Sequence, residues 1–414
     1  MMTAEKPYKR AWLTVGLLFV VAALNYLDRT MITTMRTSIV ADFSISDAQF
    51  GLLTSVFLWS YGILSPLGGY LADRFRREWV IIGSLFVWSV VTWLTGYAQN
   101  FEQLLATRVL MGVSEAFYMP AALALIVDYH PGRTQSRAVG IHLAGTTTGQ
   151  ALGFLGIVVT ELAGGWEYAF RYFGIIGVIY AVFVVFFLKR PDELVEAEQK
   201  STAPKSEVSF LDAMKQLFSQ PSFILLLLFW CVLGIVGWLV LTWLPTYYKE
   251  AFALSDTEAG FYATTPIYLA SAAGLLVGGF LSDRWLKTNR YARILVPIVG
   301  LAVAAPGIFI AGYVHVLVLA TIFFICYAFT RMFVDANLMP ALCMIVDERY
   351  RATGYGVLNM LGVVVAGVGV YAAGWLRDNN IGLGTIYQSA ALCLVVCILL
   401  MAGVYRNVKK QDLK

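Results

Sequence analysis

The chain has 414 residues, of which 59% are hydrophobic and only 14% are charged. Soluble domains carry about 25% charged residues, so this composition excludes a soluble globular protein. It also excludes a disordered chain, because too few polar residues remain to keep it solvated. The net charge of +4 does not indicate a nucleic-acid partner. At about 20 residues per membrane-crossing helix, the length accommodates roughly twelve such helices.

Long apolar runs bounded by charged or turn residues predict twelve spans, numbered here in chain order, and hence an all-α membrane protein. Their approximate ranges are 11–33, 48–72, 79–98, 103–127, 135–163, 168–188, 221–248, 257–282, 292–313, 316–346, 352–376 and 384–405. The runs are continuous and lack the short alternating segments of a membrane barrel. Helices are therefore the expected way to satisfy the backbone in lipid.

Lysine and arginine are concentrated in alternate loops. If the N-terminus is cytoplasmic, 23 of the 30 basic residues fall on the cytoplasmic side. Because cytoplasmic loops are enriched in Lys and Arg, we expect both termini to be cytoplasmic.

The longest stretch without an apolar run divides the chain into two sets of six spans. We therefore predict an N-terminal six-helix bundle over 1–189, a cytoplasmic linker over 190–220 and a C-terminal six-helix bundle over 221–414. A short surface helix is expected around 208–218 within the linker.

Three short motifs of the first half recur in the second half in the same order. They are 68–74 (GGYLADR) and 278–284 (GGFLSDR), 115–120 (EAFYMP) and 335–340 (DANLMP), and 137–140 (RAVG) and 351–354 (RATG). Their offsets are 210, 220 and 214 residues. Duplicated halves around a midplane site are typical of secondary transporters, so the repeat predicts two pseudo-symmetric bundles.

The first of these motifs carries paired charges at a cytoplasmic helix end. Gly69 allows close approach to a neighbouring helix. Asp73 and Arg74, like Asp283 and Arg284 in the second copy, are candidates for ion pairs that favour one conformation of a carrier. A plain positive-inside loop is the alternative interpretation.

With the twelve spans and the repeat, this motif resembles the major facilitator superfamily over essentially the whole chain. The segments 25–30 (NYLDRT) and 108–116 (RVLMGVSEA) look like the anion:cation symporter family, which includes bacterial sugar-acid transporters and sialin-type carriers. The segments 243–247 (WLPTY) and 165–170 (GWEYAF) fit the same family. The resemblance implies an organic-anion:proton symporter that works by alternating access. It also implies a monomer in a bacterial inner membrane.

Charged residues are costly in hydrocarbon, so those that occur there usually face a cavity and carry function. The first candidate is Arg29 in span 1, whose side chain leans toward the membrane centre and whose planar fork matches a carboxylate. Glu115 in span 4 lies near mid-depth and leans toward the level of Arg29. We expect the two to meet, with the substrate anion and Glu115 competing for Arg29, which links proton uptake to anion binding. An Arg29 that snorkels to the interface is the alternative.

Two further charges accompany them. Arg108 lies two turns before Glu115 and is expected to pair with Asp28 or to line an outer vestibule. The family resemblance implies that Asp28 is a second protonation or gating carboxylate and that Glu115 is a protonation residue. A static salt bridge between Arg108 and Asp28 is the alternative.

The second half and span 5 supply the remaining ionisable groups. Arg331 and Asp335 in span 10 are spaced i, i+4 and either neutralise each other or form a second polar contact for the substrate. His142 lies near the end of span 5, where a titrating role competes with a structural one.

Neutral polar side chains complete the predicted pocket. Tyr26, Tyr61, Gln150 and Asn359 lie well inside spans 1, 2, 5 and 11, where they are candidates to bind substrate hydroxyls. Close helix packing by the small residues around Gln150 is the alternative for that residue.

Several functions are not supported by any motif. There is no Walker sequence, no zinc-binding His-Glu-x-x-His pair and no nucleophile elbow, so we expect neither an enzyme nor a cofactor or metal site. The expected energy source is a proton gradient, with sodium as the alternative ion. The predicted substrate is a sugar acid, a sialic acid or a similar monocarboxylate. The competing hypothesis is a proton-driven exporter or a spinster-like carrier of lysolipids.

Overall fold

The computed structural model describes residues 10–130, 134–188 and 210–412, and in these ranges the long elements are all α-helices. The α-helices are α1 (Ala11–Thr34), α2 (Arg36–Phe43), α3 (Asp47–Arg74), α4 (Arg77–Thr95), α5 (Phe101–Glu115), α6 (Tyr118–Tyr129), α7 (Gln135–Ala151), α8 (Leu155–Ala163), α9 (Trp166–Phe187), α10 (Phe210–Phe218), α11 (Pro221–Phe252), α12 (Asp256–Leu286), α13 (Ala292–Ala311), α14 (Leu317–Cys343), α15 (Arg351–Asp378) and α16 (Leu383–Asp412). Within these ranges, 12 helical stretches are long and apolar enough to cross a membrane. The predicted all-α membrane fold is confirmed.

The helices form two compact units. Unit 1 comprises Met1–Ile39 and Trp59–Glu207, and unit 2 comprises Val40–Leu58 and Val208–Lys414. Helix α3 therefore begins in unit 2 and ends in unit 1. A short helix, α10, forms where the sequence predicts one. The greater part of the predicted linker, 189–209, lies outside the described residues, and the predicted domain boundaries stay a prediction.

Small residues bring α1 and α7 of unit 1 into contact. Gly145 and Gly149 face the backbone carbonyls of Phe19 and Ala23 so closely that a Cβ at either glycine would overlap them. Lipid chains are as apolar as leucine, so membrane helices associate largely through such close packing. The alternative interpretation of the segment before Gln150, close packing by small residues, is therefore observed.

Close contacts at glycines also join α4 to α9. Gly174 lies against the backbone of Trp93, and Gly177 lies against Ser89. Between these pairs and α1, the Trp88 and Tyr118 rings meet edge to face at 5.4 Å and are fully buried. Unit 1 thus has an aromatic core whose outer helices are held by glycine contacts.

Two spans that the sequence predicts as continuous are broken in the structure. Span 4 consists of α5 and α6, which separate directly after Glu115. Pro120 lacks an N–H and cannot bond to the carbonyl of Ala116, which accounts for the break. Gly68 of α3 packs against this same carbonyl. Discontinuous helices line the binding sites of many transporters, and in this chain the break directly follows Glu115.

Span 5 is interrupted between α7 and α8. Here the regular helical bonds give way to tighter turns, in which Gly153 N donates to Gln150 O at 3.1 Å and Leu155 N donates to Leu152 O at 2.9 Å. Gln150 therefore lies at the second break of unit 1. Sequence periodicity does not reveal either break, since the apolar character continues through both.

Unit 2 is assembled by the same close packing. Gly274 and Gly278 of α12 lie against the backbone of Phe329 and Phe333 in α14. On another face, a Cβ at Gly234 of α11 would lie 2.9 Å from a carbonyl oxygen of α15. Helix α14 remains continuous despite its internal Pro340, so the repeat relates two helices with different local geometry.

The glycine contacts predict a strong difference between two substitutions in α7. Gly149→Ala places a methyl group on the Ala23 backbone, so we expect about 1–3 kcal/mol of destabilisation, as for other overpacked sites. Gly140→Ala in the same helix meets open space, and better helix propensity stabilises it by up to about 1 kcal/mol. Thermal unfolding of both purified variants measures the difference. Equal midpoints for the two would contradict the close α1–α7 contact.

Candidate functional site

Arg29 and Glu115 form a buried ion pair in unit 1. The distance from Arg29 Nε to Glu115 Oε2 is 2.6 Å, and the exposed fractions of the two side chains are 3% and 0%. The pair joins α1 to the last residue of α5. Arg29 therefore does not snorkel to the interface, and the structure brings together the two residues whose meeting the sequence predicts.

Aromatic rings enclose the Arg29 guanidinium. Its carbon lies 4.6 Å from the centroids of both the Tyr26 and Tyr61 rings. Such cation–π contacts stabilise a cation that has been removed from water. Glu115 Oε1 has no hydrogen-bond partner, and the buried Asn25 lies beside this carboxylate. One oxygen of Glu115 is thus available for a proton.

Asp28 and Arg108 belong to the same charged cluster. Asp28 accepts a hydrogen bond from Thr92 Oγ1 at 3.0 Å, and Arg108 Nη1 contacts Met111 Sδ at 2.8 Å. One of the two expectations for Arg108 is that it lines an outer vestibule. Arg108 is only 1% exposed, so in this structure it does not line an open vestibule. Both residues act electrostatically on Glu115.

With Arg29 and Glu115, these residues make a cluster of two acids and two bases, which is neutral when all four are ionised. A ligand anion that enters it therefore adds a negative charge that the four residues, all ionised, do not balance. Sequence reasoning did not find Asn25, Thr92 or Met111 as members of the cluster. Neutral side chains in an apolar span follow no pattern, so only the spatial arrangement reveals them.

Arg331 and Asp335 form a second pair, in unit 2. Arg331 Nη1 lies 3.0 Å from Asp335 Oδ2, one turn away on α14. Their side chains are 20% and 27% exposed, in contrast to the sealed pair in unit 1. Arg331 also lies against Gly237 of α11, where a Cβ would be 3.4 Å from its Nη2. The two residues neutralise each other, and space remains beside them.

The neutral candidates divide between the units. Tyr26 and Tyr61 contact Arg29, as described above. Gln150 is half-buried at the break in span 5, and Asn359 is half-buried on α15 in unit 2. The substrate-binding role of these four residues stays a prediction.

His142 and His130 lie in unit 1, and the titrating role considered for His142 stays a prediction. His142 is fully buried, with Nδ1 3.2 Å from the Leu18 carbonyl and its ring against Tyr118 at 5.8 Å. Outside the spans, burial lowers the pKa of His130, so this imidazole is neutral near pH 7. No cluster of three His, Cys, Asp or Glu side chains suited to a metal occurs among the described residues.

The repeated cytoplasmic motif lies at the ends of α3 and α12. Arg74, Asp283 and Arg284 are exposed there. The side chains of Gly69 and Asp73 lie outside the described residues. The conformational role of this motif stays a prediction.

An ion-pair cluster that sequence reasoning missed holds the start of α3 within unit 2. Arg377 Nε donates to Asp47 at 2.8 Å, and its terminal nitrogens donate to Glu250 at 2.7 and 3.0 Å. Asp378 accepts from the backbone N–H groups of Asp47 and Ala48 at 2.8 and 3.0 Å. A carboxylate at a helix N-terminus satisfies free donors and opposes the helix dipole. We call these five residues the Arg377 cluster.

Close backbone contacts extend this cluster along α3. Ser55 Oγ donates to the Gly367 carbonyl at 2.7 Å, and a Cβ at Gly51 would lie 3.0 Å from the Val370 carbonyl. The first half of α3 is therefore docked on α15. The sequence marks Arg377 only as one of the few basic residues away from the cytoplasmic loops, so it does not indicate its partners.

Comparison with known proteins places these features in a family context. The Major Facilitator Superfamily profile matches residues 18–370. Protein spinster homolog 1 of Xenopus laevis is 32% identical over 318 residues, which are 73% of this chain and 60% of that protein. The Escherichia coli K12 protein named Probable L-galactonate transporter is 26% identical over 393 residues, covering 92% of this chain and 84% of the relative. The matched region thus spans less than two thirds of the spinster relative.

Two solved structures share the fold. Both are of a bacterial homolog of the human lysosomal transporter Spinster, in inward-facing conformations. The occupied form has a TM-score of 0.75 at 24% identity and covers 99% of this chain and 98% of its own. The unoccupied form has a TM-score of 0.76 at 23% identity, with coverages of 97% and 96%. These comparisons do not single out the anion:cation symporter family that the sequence motifs resemble.

The Arg377 cluster predicts local stability at the start of α3. Arg377→Met removes the cation that neutralises Asp47 and Glu250, so we expect faster amide hydrogen exchange over 47–52. Arg171→Met is a matched control, because Arg171 packs on the Tyr97 ring as Arg377 packs on the Trp243 ring, but it donates to the Gly96 carbonyl in unit 1. Hydrogen exchange with mass spectrometry measures both. Unchanged protection of 47–52 in Arg377→Met would show that the cluster does not hold α3.

Proposed function

This chain belongs to the major facilitator superfamily, and we propose that it imports an organic monocarboxylate together with protons by alternating access. The observation that carries the proposal is the buried Arg29–Glu115 pair, with one carboxylate oxygen unpartnered. Alternating access at this pair requires neither a nucleotide nor a metal. We propose a bacterial inner membrane as its location, with both termini cytoplasmic and a monomeric functional state.

The proposed coupling follows from charge balance. In the empty carrier, Arg29 is neutralised by Glu115. A substrate carboxylate binds the Arg29 guanidinium and displaces Glu115, which then binds a proton because a buried carboxylate without a counter-charge is costly. Tyr26 and Tyr61 keep Arg29 in place by their ring contacts. Anion and proton therefore enter together, and the net charge of the pair does not change.

Asp28 and Arg108 extend this mechanism. Asp28 is a second carboxylate in the same cluster, held by Thr92, and we assign it a gating or second protonation role. Arg108 keeps the cluster neutral in both states. Gln150 and Asn359 are proposed to bind hydroxyls of the substrate, and Arg331 is proposed to bind a further polar or acidic group. The E. coli relative named for L-galactonate supports a sugar acid as the substrate class.

Uptake into proteoliposomes tests the proposal. With L-galactonate as the probe, we expect accumulation that rises as the external solution is acidified, because the loaded carrier carries Glu115 protonated. Arg29→Ala should lower uptake at least about tenfold, since truncating one partner of a buried charge pair costs about 2–5 kcal/mol. Glu115→Gln should retain exchange of labelled for unlabelled substrate but lose its response to the pH gradient.

The matched control is Glu102→Gln, which removes an exposed carboxylate in the first turn of α5 and should behave as the wild type. Full uptake by Arg29→Ala would reject Arg29 as the anion contact. A sodium gradient that drives uptake without a pH gradient would replace the proton as the coupling ion. Folding of each variant is checked by size exclusion before reconstitution.

A second candidate is favoured by the 32% identity to the spinster homolog. It is a carrier or proton-driven exporter of a single-chain amphiphile whose anionic headgroup occupies Arg29. Lysophosphatidylglycerol is the probe, compared with L-galactonate in a thermal-shift series on wild type and Arg29→Ala. Arg29-dependent stabilisation by the lysolipid but not by L-galactonate would select this candidate. The opposite pattern would reject it.

A further inference from the structure

We propose that Arg331 and Asp335 form a second anion-coupled proton site, in which Asp335 takes up one proton when a carboxylate occupies Arg331. The inference rests on the proposed anion:proton transport and extends it from unit 1 to unit 2. It assigns to unit 2 a ligand of the same chemical class, a carboxylate anion, and a proton of its own.

The repeat places Asp335 in the position of Glu115. Each acid begins a copied motif and is followed, four and five residues later, by Met-Pro. The packing agrees, because the first glycine of the other repeated motif contacts the acid-bearing segment in both units. Gly68 lies against the backbone directly after Glu115, and Gly278 lies against the backbone of Phe333, two residues before Asp335. The two acids therefore occupy corresponding places in their bundles.

The pair in unit 2 is incompletely satisfied. Arg331 Nε and the Tyr327 hydroxyl are buried and have no hydrogen-bond partner, and Asp335 Oδ2 has only the ion-pair contact with Arg331 Nη1 at 3.0 Å. A buried polar group that is left unpaired destabilises the fold relative to a paired one. A ligand carboxylate supplies acceptors to Arg331 and Tyr327, and a protonated Asp335 becomes a donor. The unused capacity of these atoms matches an anion and a proton together.

Space for a ligand exists beside the pair. The side chains keep 20% and 27% exposure, although Arg331 is approached from α11 by Gly237 and interacts with Tyr268 on α12 and Cys397 on α16. Residues from three other helices thus surround a guanidinium that is still partly accessible. The Arg29–Glu115 pair, by contrast, is sealed, with exposed fractions of 3% and 0%.

Arg331 is the strong charge that acts on Asp335. The other titratable groups interacting with the pair in the described residues are neutral near pH 7: Tyr327 on α14, Tyr268 on α12 and Cys397 on α16. The facing helix α13 has Gly300 and Gly307 against α14, and its single charged residue, Arg293, lies at its start. An anion on Arg331 therefore leaves Asp335 without a counter-charge. Uptake of one proton restores a net charge of zero.

Proton uptake on ligand binding tests the site. Calorimetry of the purified full-length carrier, in buffers of different ionisation heat, counts protons bound at saturating L-galactonate. We expect about two L-galactonate anions and two protons bound per wild-type carrier, and about one proton for Asp335→Asn and for Glu115→Gln, because each pair takes up one proton with one anion. Glu102→Gln is the control and should match the wild type. An Asp335→Asn carrier that binds as many protons as the wild type overturns the inference.

The outcome separates this site from the function on which it rests. If Glu115→Gln lowers proton uptake and Asp335→Asn does not, the proposed function stands and the second site is wrong. If no variant differs and the wild type binds no proton, the proposed function fails.

Infrared spectroscopy tests, without any substrate, whether Asp335 binds a proton when it loses the charge of Arg331. The absorption band of protonated Asp335 is identified as the carboxylic-acid band that Asp335→Asn removes. We expect this band to be stronger at neutral pH in Arg331→Met than in the wild type. No such band in Arg331→Met overturns the inference. The double variant Arg331→Met/Asp335→Asn, which buries no unpaired charge, checks that the fold survives.

Discussion

The buried ion pair between Arg29 and Glu115 is the constraint on which the rest of unit 1 depends. Two charges removed from water are expensive, and their mutual attraction repays this only when geometry and further contacts are favourable. Here Tyr26 and Tyr61 hold the cation, but one oxygen of the acid has no hydrogen-bond partner. The cation is thus held by protein contacts, whereas the acid is incompletely satisfied.

The surrounding helices make this arrangement possible. The break after Glu115 ends α5 at the acid itself, and the glycines of α7 let that helix pack directly on α1, which carries Arg29. In a membrane, backbone that leaves the helical pattern must be packed by protein. Gly68 provides this packing at the break. The interruption of the helix after Glu115 is therefore accompanied by close packing at the same place.

The two units place an acid at the same position of the repeat but neutralise it differently. In unit 1 the counter-charge comes from another helix, and the pair is sealed. In unit 2 Arg331 lies one turn before Asp335 on a continuous helix, and the pair is partly accessible. Duplicated bundles thus retain the position of the charge while its partner changes. A pair within one helix constrains no second helix, whereas the pair in unit 1 links α1 to α5.

The sequence by itself determined the class of protein, the number of spans and the repeat, since these depend on composition and on long apolar runs that no tertiary contact is needed to read. It also identified Arg29, Glu115, Arg331 and Asp335, because a charge in an apolar span is conspicuous. Only the tertiary structure decided which of these charged residues form ion pairs with each other. The break in span 5 has no clear local signal, and Pro120 does not by itself predict the break in span 4, since the corresponding Pro340 lies in a continuous helix.

The neutral partners and the Arg377 cluster depended on the tertiary structure in the same way. Thr92 contacts Asp28 only because α4 is packed beside it in the fold. Arg377 forms its ion pairs only because α3 and α11 bring two carboxylates to it. Sequence separations of 64 and 330 residues leave no local signal of such contacts. The positions of the charged residues can be identified from the sequence. The free energy of each charge depends on neighbouring residues that only the folded structure brings to it.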